Sequence, residues 1–332
     1  MLYEFKDLID VDYLPSKLNH LKWHITGFVD GDGSFPVILS PVANKKHGWL
    51  IQPRFEIELR NNNDSLTMLK IISRSMNLRP KLIQGNNFVK LIITNRRLLL
   101  EKLIPFFEKY KPVLKSEDFA LLKYVAESLD SKKHMEYNGF KDIITQVFST
   151  PSDAEGRRRW AFNDIIKDEP TPPTKTAAVP IFSEGAELRH YLAGFIDAEG
   201  ALGYAVVSKT KTITPYLTIT NQNTAILQKL QQVLMCGNIS TGRLQIYGMD
   251  NIQHKVIPFL DKHRLLAKRT TYVKFKEILN VLKDNKHKTH FDNVLSMIRS
   301  LNDRGILRDH TLGTYPKQRE GEDMVQHQKD VA

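Results

Sequence analysis

Two acidic residues, each followed by a glycine, stand out in residues 24–35, which read HITGFVDGDGSF. Asp30 and Asp32 are separated by a single residue. Short acidic strings of this kind serve three unrelated chemistries: a calcium-binding loop, a phosphatase-type nucleophile, and carboxylates gathered at helix ends to hold divalent cations. The string alone does not decide among these three chemistries.

The calcium-loop interpretation fails on ligand chemistry. A loop of the EF-hand kind needs an oxygen ligand at its first position, a glycine at its sixth and a bidentate acid at its twelfth. With the glycine placed on Gly33, the first position is Phe28 and the twelfth is Leu39. Neither side chain can bind calcium, so this class of site is excluded.

The acidic string occurs twice in the chain. Residues 191–200 read YLAGFIDAEG and match HITGFVDGDG with a constant offset, which pairs Asp30 with Asp197 and Asp32 with Glu199. A phosphatase-type nucleophile would occur once, directly after a buried strand, so the repeat disfavours that alternative. Internal repetition of this kind indicates two related halves.

We interpret both strings as the C-terminal parts of α-helices. Two small residues stand four positions apart in each string: Gly27 and Gly31 in the first, Gly194 and Ala198 in the second. Residues at this spacing share one helix face, and small residues there let two backbones approach closely. We therefore expect the two helices to pack against each other along these faces.

Such a crossing would bring Asp32 and Glu199 together on a pseudo-twofold axis. Two carboxylates at negative helix ends form a strongly anionic site, which divalent cations would stabilise. Gly33 and Gly200 directly follow the acids and are expected to end the helices in the left-handed conformation. The earlier acids are expected to be solvated at the helix ends: Asp30 and Asp197.

The same order of elements follows each string. In the first half, SFPVILS and QPRFEIELR alternate like half-buried strands, and NDSLTMLKIISRSM has the period of an amphipathic helix. A strand pair around KLIQGNNFVKLIIT and helices in LLLEKLIPFFEKY and KSEDFALLKYVAESL follow. The second half runs through LGYAVVSK, PYLTITNQ, NTAILQKLQQVL, NIS with GRLQIYG, NIQHKVIPFL and LLAKRTTYVKFKEILNVL. Each half is therefore predicted to be αββαββα, in an α+β fold.

The predicted halves span residues 1–149 and 185–307. Residues 150–184 join them and contain five prolines, a composition typical of a linker. Residues 308–332 are polar and aperiodic, which predicts a flexible tail.

Composition favours a polyanionic partner, because 48 Lys and Arg against 37 acids give a net charge of +11. The single cysteine, Cys236, excludes an intramolecular disulfide framework and fits a reducing compartment. No apolar run approaches about 18 residues, so no membrane span is expected. The N-terminus MLYEFKDLIDVDYL has neither a signal nor a transit pattern.

The segments LAGFIDAEG (192–200) and ITGFVDGDG (25–33) resemble the signature of the LAGLIDADG homing endonucleases. The chain from about residue 20 to 302 is similar to the two-motif, single-chain members. The resemblance implies a monomer whose two sheets form a saddle over a long double-stranded DNA target. It also implies metal-dependent cleavage of both strands in support of intron homing, and an organelle, mitochondrion or chloroplast, as the compartment.

Site residues follow from the same resemblance. The catalytic acid of the family falls on Asp32 and Glu199, where it holds Mg²⁺, with Mn²⁺ or Ca²⁺ able to occupy the same sites. The backbone carbonyls of Gly31 and Ala198 are implied as further metal ligands.

Three further catalytic residues are implied by the resemblance. The family lysine near the scissile phosphates falls on Lys115 and Lys268. A polar residue that orders water at the end of the second strand falls on Asn221. The first half offers Leu59 or Arg60 at that place, so the two half-sites are expected to differ.

Sequence readout is expected from the strand faces opposite the apolar ones, where Arg, Gln and Glu can read guanine, adenine and cytosine. The candidates in the first half are Ser40, Gln52, Arg54, Glu56, Glu58 and Lys90, and in the second half Lys209, Thr218, Thr220, Arg243, Gln245 and Tyr247. Hairpin-loop lysines are expected to contact phosphates: Lys45, Lys46, Lys209 and Lys211.

Two other functions stay open at this point. Some proteins of this family resemble intron maturases, which makes intron RNA an alternative partner, and a catalytically inactive DNA-binding regulator is the third hypothesis. The intact acids favour cleavage, because neither alternative needs them. An intein is not expected, because the chain begins with Met1 and has no cysteine near either end.

Overall fold

The computed structural model describes residues 18–79, 81–151, 159–167, 169–182, 184–283 and 291–301. Its fold class is the predicted one, because two sheet-containing halves repeat the αββαββα order. The first half contains α1 Leu18–Asp32, β1 Gly33–Ser34, β2 Val37–Pro41, β3 Trp49–Pro53, β4 Phe55–Arg60, α2 Asn63–Ser75, β5 Ile83–Gln84, β6 Phe88–Ile93, α3 Arg96–Leu98, α4 Ile104–Lys109, α5 Ser116–Asp130 and α6 Tyr137–Ser149.

The second half repeats this order after a short helix, α7 Phe162–Ile165. It contains α8 Ala186–Glu199, β7 Gly200–Val207, β8 Thr212–Thr220, α9 Thr224–Leu234, β9 Asn238–Ser240, β10 Arg243–Tyr247, α10 Met249–Asn251, α11 Ile257–His263, α12 Arg269–Lys283 and α13 Phe291–Leu301. One π-helical turn joins α3 to α4 and another joins α10 to α11, at matching places in the two halves.

The two main sheets have the same antiparallel topology. The strand order is β1-β4-β6-β5 in the first half and β7-β8-β10-β9 in the second. The prediction that SFPVILS forms one strand is wrong, because β1 and β2 belong to different sheets and Pro36 lies between them. Pro36 has no backbone N–H to donate to a ladder, and its carbonyl instead accepts the amide of Arg54 at 2.8 Å. QPRFEIELR is divided at Arg54, between β3 and β4, so β2 and β3 form a separate hairpin.

Helices α1 and α8 form the interface between the halves, as the glycine spacing predicts. A Cβ on Gly27 would lie 1.8 Å from the carbonyl oxygen of Tyr191, and a Cβ on Gly194 would lie 1.9 Å from that of His24. No side chain fits such a contact, so glycine at both positions lets the two backbones touch. We call this contact of α1 with α8 the helix seam. Phe28 and Phe195 point away from the helix seam into the cores of their own halves and are fully buried.

The glycines after the two acids do not have the predicted left-handed conformation. Gly200 has φ −73°, and Gly33 is absent from the described residues with positive φ. Each begins a strand directly after the helix. A Cβ would lie 2.5 Å from the carbonyl oxygen of Ile196 at Gly200, and 2.9 Å from that of Val29 at Gly33. Glycine is needed there because the helix turns directly into a strand, leaving no room for a side chain.

Part of the segment between the halves packs on the first half. The Trp160 ring makes an edge contact with Trp49 at 5.4 Å, and Phe162 and Ile166 are buried in a small core with α5, α6 and the β2–β3 hairpin. Farther along, the amide of Lys175 donates to the carbonyl of Ser149 at 2.7 Å. The predicted tail, 308–332, lies outside the described residues.

Among the described helices, none combines the length and the apolar character needed to cross a bilayer.

Candidate active site

The C-terminal ends of α1 and α8 meet and carry one acid each. Asp32 is the last residue of α1 and Glu199 the last residue of α8. A Cβ on Gly31 would lie 2.4 Å from the Cβ of Ala198 and 3.2 Å from the Cγ of Glu199, so the two helix ends are in direct contact. The structure therefore brings together the two carboxylates that the repeat pairs.

Both carboxylates are destabilised as anions by their surroundings. Asp32 keeps contact with solvent, but protein atoms surround it from most directions, and this crowding raises its pKa. Burial also raises the pKa of Glu199, and the negative charge of Asp32 raises it further. Lys115 and Lys268 act in the opposite direction and lower the pKa of both acids.

The lysines act crosswise on the two acids. On the pKa of Asp32, in the first half, the lowering effect of Lys268 exceeds that of Lys115. On the pKa of Glu199, in the second half, Lys115 has the larger effect. On each acid, the larger lowering effect therefore comes from the lysine of the other half.

Both lysines also cover the C-terminal carbonyls of their own helix. The Nζ of Lys115 donates to the carbonyls of Asp30 at 2.8 Å and Gly31 at 2.7 Å, and the Nζ of Lys268 donates to that of Ala198. A cation at this end complements the helix dipole. Burial lowers the pKa of Lys268, and the surrounding acids Asp197, Asp32 and Glu199 raise it.

The expectation that Asp30 and Asp197 are solvated is wrong, because their relative exposures are only 2% and 1%. Each carboxylate accepts three consecutive backbone N–H groups from the segment that carries a lysine. Asp30 binds the amides of Val113, Leu114 and Lys115 at 2.6, 3.1 and 3.0 Å. Asp197 binds those of Leu266, Ala267 and Lys268 at 2.7, 2.8 and 2.9 Å.

Sequence reasoning missed the structural role of these two aspartates. Their carboxylates fix the backbone of the lysine-bearing segments, so they place the lysines beside the helix ends. Burial raises the pKa of Asp30, and its hydrogen bonds lower it. The signal in the sequence is a second repeat, VLKS and LAKR, which accompanies the repeated acids.

Asn221 lies directly after β8, where it begins the turn into α9. Its side-chain oxygen accepts the amide of Asn223 at 2.9 Å, and its own amide donates to the carbonyl of Gly242 at 2.9 Å. The oxygen predicted to order water is thus engaged in a backbone turn. Leu59 and Arg60 end strand β4 in the first half and line a cavity together with Asp32.

This cavity, of 710 Å³, lies between the halves. Asp32 and Lys268 line it together with residues of β7 and of the first turns of α2 and α12. Asp64 joins the halves at the rim of the cavity. Its carboxylate accepts hydrogen bonds from Thr270, from the backbone amide at 2.7 Å and from the hydroxyl at 3.0 Å.

Five of the six predicted readout residues of the first half lie on outward strand faces, and Arg54 lies between β3 and β4. Glu58 is opposite Lys90 in the β4–β6 register, and an ion pair joins them at 3.1 Å. Glu56 joins the same network through Lys90 at 3.7 Å and Arg54 at 3.2 Å. The hairpin supplies the remaining two, Ser40 opposite Leu50 and Gln52 opposite Ile38, on the face turned away from the small core.

Five of the six second-half candidates share one face of the β7-β8-β10-β9 sheet, and Lys209 lies in the turn between β7 and β8. Gln245 is opposite Thr218, Arg243 is opposite Thr220, and Tyr247 is opposite Tyr216. Arg243 Nε donates to the Thr220 hydroxyl at 3.2 Å. The lysines expected at phosphates are exposed in the two hairpin loops: Lys45, Lys46, Lys209 and Lys211.

Two αββαββα halves that meet at glycine-bearing helices, each ending in an acid, define a LAGLIDADG-type protein. A sequence model of the LAGLIDADG endonuclease family matches residues 25–144 and 192–279, and the chain belongs to this family. The probable intron-encoded endonuclease 2 of Neurospora crassa is 26% identical over 280 residues, which cover 80% of this chain. The chain spans 61% of the length of that relative.

Solved structures with the same fold cover most of the chain. The I-LtrWI LAGLIDADG homing endonuclease, bound to target DNA, has a TM-score of 0.75 and 22% identity, with 87% of this chain and all of the other covered (100%). I-SmaMI, bound to uncleaved DNA target in the presence of calcium ions, has a TM-score of 0.72 and 21% identity, with 87% and 99% covered. These likenesses establish the two-half fold in a single chain.

Proposed function

We propose that the protein is a site-specific DNA endonuclease that breaks both strands of a long target by metal-dependent phosphodiester hydrolysis, in support of intron homing. One observation carries this proposal: Asp32 and Glu199 meet at adjoining helix ends, where the ammonium groups of Lys115 and Lys268 contact the carbonyls of Gly31 and Ala198. Two equivalent sets of an acid and a lysine suit two cuts in antiparallel strands. Membership of the LAGLIDADG endonuclease family supports the same reaction.

The donor set fits Mg²⁺, with Mn²⁺ or Ca²⁺ as possible occupants. Asp32 and Glu199 would hold it with the carbonyls of Gly31 and Ala198, and all four provide the hard oxygen ligands that these cations prefer. The carbonyls of Gly31 and Ala198 accept the ammonium groups of Lys115 and Lys268, and this preference of the helix ends for a cation supports the assignment. Within the described part of the chain, no group of three or more His, Cys, Asp or Glu side chains could hold a metal ion. Mg²⁺ sites often combine one or two carboxylates with substrate phosphates, so DNA would complete this one.

When bound, the metal lowers the pKa of a water molecule and neutralises charge on the phosphate. The protein side chains do the remaining work. Asp32 and Glu199 position the cations, and neither is needed as a proton-transfer group. Lys115 and Lys268 supply positive charge in a partly buried place, where electrostatic stabilisation of the reacting phosphate is strong.

The outward faces of the two sheets are the proposed DNA-binding surface. Residues of the Arg54–Glu56–Lys90–Glu58 network and the second-half set of Arg243, Gln245 and Thr218 have the donors and acceptors needed to read base edges. Exposed hairpin lysines would contact phosphates, which gives affinity and salt dependence. Both halves lie in one chain, so a monomer completes the paired site. Similarity to the mitochondrial protein RF1 of Saccharomyces cerevisiae, 27% identical over 126 residues, supports an organelle as the compartment.

Selection from a randomised double-stranded DNA pool tests the proposal. The purified chain is incubated with the pool and Mg²⁺, and molecules cut on both strands are captured, amplified and sequenced. We expect one long target to be enriched, with no enrichment in EDTA or with the Asp32→Asn variant. Binding of intron RNA without any DNA cleavage would instead support a maturase, and the nuclease proposal would then be wrong.

A further inference from the structure

The aspartates that hold the lysine-bearing segments each receive one more hydrogen bond, and it comes from the opposite half. The hydroxyl of Tyr191, on α8, donates to Asp30 at 2.7 Å. The Nε2 of His24, on α1, lies 3.1 Å from the carboxylate of Asp197. His24 and Tyr191 occupy matching positions in the two repeats. The two contacts therefore run crosswise through the helix seam.

This bond is the fourth that each carboxylate accepts. In both aspartates Oδ2 accepts the bond from the opposite half and two backbone N–H groups, and Oδ1 accepts the third backbone N–H group, that of Lys115 or Lys268. Because a carboxylate only accepts, the Nε2 of His24 carries the proton in this bond. The side chains of His24 and Asp197 are both 0% exposed, so water has no access to replace a lost donor.

We propose that His24 and Tyr191 are crosswise positioning residues. His24, in the first half, holds Lys268 in place through Asp197, and Tyr191, in the second half, holds Lys115 through Asp30. The helix seam thereby sets the position of each lysine from the opposite half, in addition to joining the halves. The role in cleavage rests on the proposed function, whereas the crosswise hold on the two backbone segments does not.

Hydrogen–deuterium exchange tests the crosswise hold without any DNA. We expect His24→Leu to speed amide exchange of residues 266–268 at least roughly tenfold, as expected for the loss of one buried hydrogen bond, and to leave 113–115 unchanged. Tyr191→Phe removes only the hydroxyl and should have the opposite pattern. His24→Gln keeps an N–H donor and should restore slow exchange at 266–268. The same segment responding to both variants, or neither segment responding, would overturn the proposal.

Strand-resolved cleavage tests the consequence for the reaction. A plasmid with the selected target is labelled on either strand, and the two nicking rates are measured with Mg²⁺. We expect His24→Leu to slow one strand roughly tenfold and Tyr191→Phe to slow the other, so that nicked circles accumulate. Equal slowing of both strands by each variant would mean a general structural role and would refute positioning. If the wild type cut no target, the proposed function would fail, and the exchange experiment would still decide whether the crosswise hold exists.

Discussion

At the scale of single residues, the site combines two opposing demands. Asp32 and Glu199 carry like charges at the C-terminal ends of two helices, where the helix dipole is also negative. Burial raises the pKa of both acids, so the free protein disfavours their anionic forms. Lys115 and Lys268 offset part of this repulsion, and bound cations would offset the rest. Removing one acid should therefore weaken metal binding and, at the same time, remove the charge repulsion between the two acids in the free protein.

Neutralising either acid should abolish double-strand cleavage. Asp32→Asn and Glu199→Gln keep the shape of the side chain but remove the charge that holds the cation, so we expect the rate to fall more than about a hundredfold. DNA affinity should stay within about tenfold, because phosphate contacts elsewhere supply most of it. Cleavage assays and fluorescence anisotropy measure the two quantities. Glu277→Gln, at an exposed position on α12, is the matched control. Full cleavage by either acid variant would end the metal-ligand assignment.

Asp30→Asn should destabilise the fold far more than its conservative chemistry suggests. The asparagine amide would face three backbone donors that the carboxylate now binds, which leaves buried groups unpaired. We expect a loss of about 3 kcal/mol or more in the free energy of unfolding, measured by urea denaturation. Asp250→Asn replaces a carboxylate whose side chain is 85% exposed and should change stability by less than about 0.5 kcal/mol. Similar losses in the two variants would contradict the structural role of Asp30.

At the scale of elements, the sequence predicted what depends on local spacing and missed what depends on distant segments. The close approach of α1 and α8 follows from Gly27 and Gly194, because residue size on one helix face is readable in the chain. The burial of Asp30 was not readable, because the amides that bind it lie more than eighty residues away. The predicted left-handed conformation of Gly33 and Gly200 was wrong because each helix runs directly into a strand. The division of the first strand at Pro36 was missed because its alternating pattern continues across the proline.

The helix seam should not tolerate even one methyl group at Gly194. An alanine Cβ would lie 1.9 Å from the carbonyl oxygen of His24, so the two backbones would have to separate. We expect Gly194→Ala to lower the free energy of unfolding by about 3 kcal/mol, within the range of overpacking, as measured by urea denaturation. Lys70→Ala, on the exposed face of α2, is the control and should be nearly neutral. Unchanged stability in Gly194→Ala would mean that the seam is wider than described.

At the scale of the whole molecule, the two halves have the same backbone fold but differ in their titratable side chains. Near the start of the seam, the first half packs Trp23 edge-on against Tyr110 at 5.5 Å. At the matching place the second half packs His190 edge-on against His263 at 4.6 Å, and His20 of the first half stacks on His190 at 4.0 Å. A pair of aromatic rings without charge is thus replaced by groups that can gain protons. The interface of the halves should therefore respond to acid through the second half.

Stability should decrease as the pH falls from 6.5 towards 4. Burial, with positive neighbours, lowers the pKa of His190 to about 3 and that of His263 to about 4, from an ordinary value of 6.5. In this window the unfolded chain binds more protons than the folded protein, so acid favours unfolding, by up to about 1.4 kcal/mol per pH unit for each histidine. The raised pKa values of Asp32 and Glu199 act in the opposite sense, since the folded protein takes up their protons more readily.

Comparison of variants separates the histidines from the acids, because the acids are the same in all of them. We expect His263→Phe to lose less stability than the wild type between pH 7.5 and pH 5, by roughly 1 kcal/mol, in urea denaturation at both pH values. Trp23→Phe changes the matching ring pair of the first half without adding or removing a group that gains protons, and it should have the pH dependence of the wild type. If His263→Phe and the wild type lost the same stability, the buried pair would not be the acid-sensitive part of the interface. The two halves would then differ in ring chemistry without differing in their response to acid.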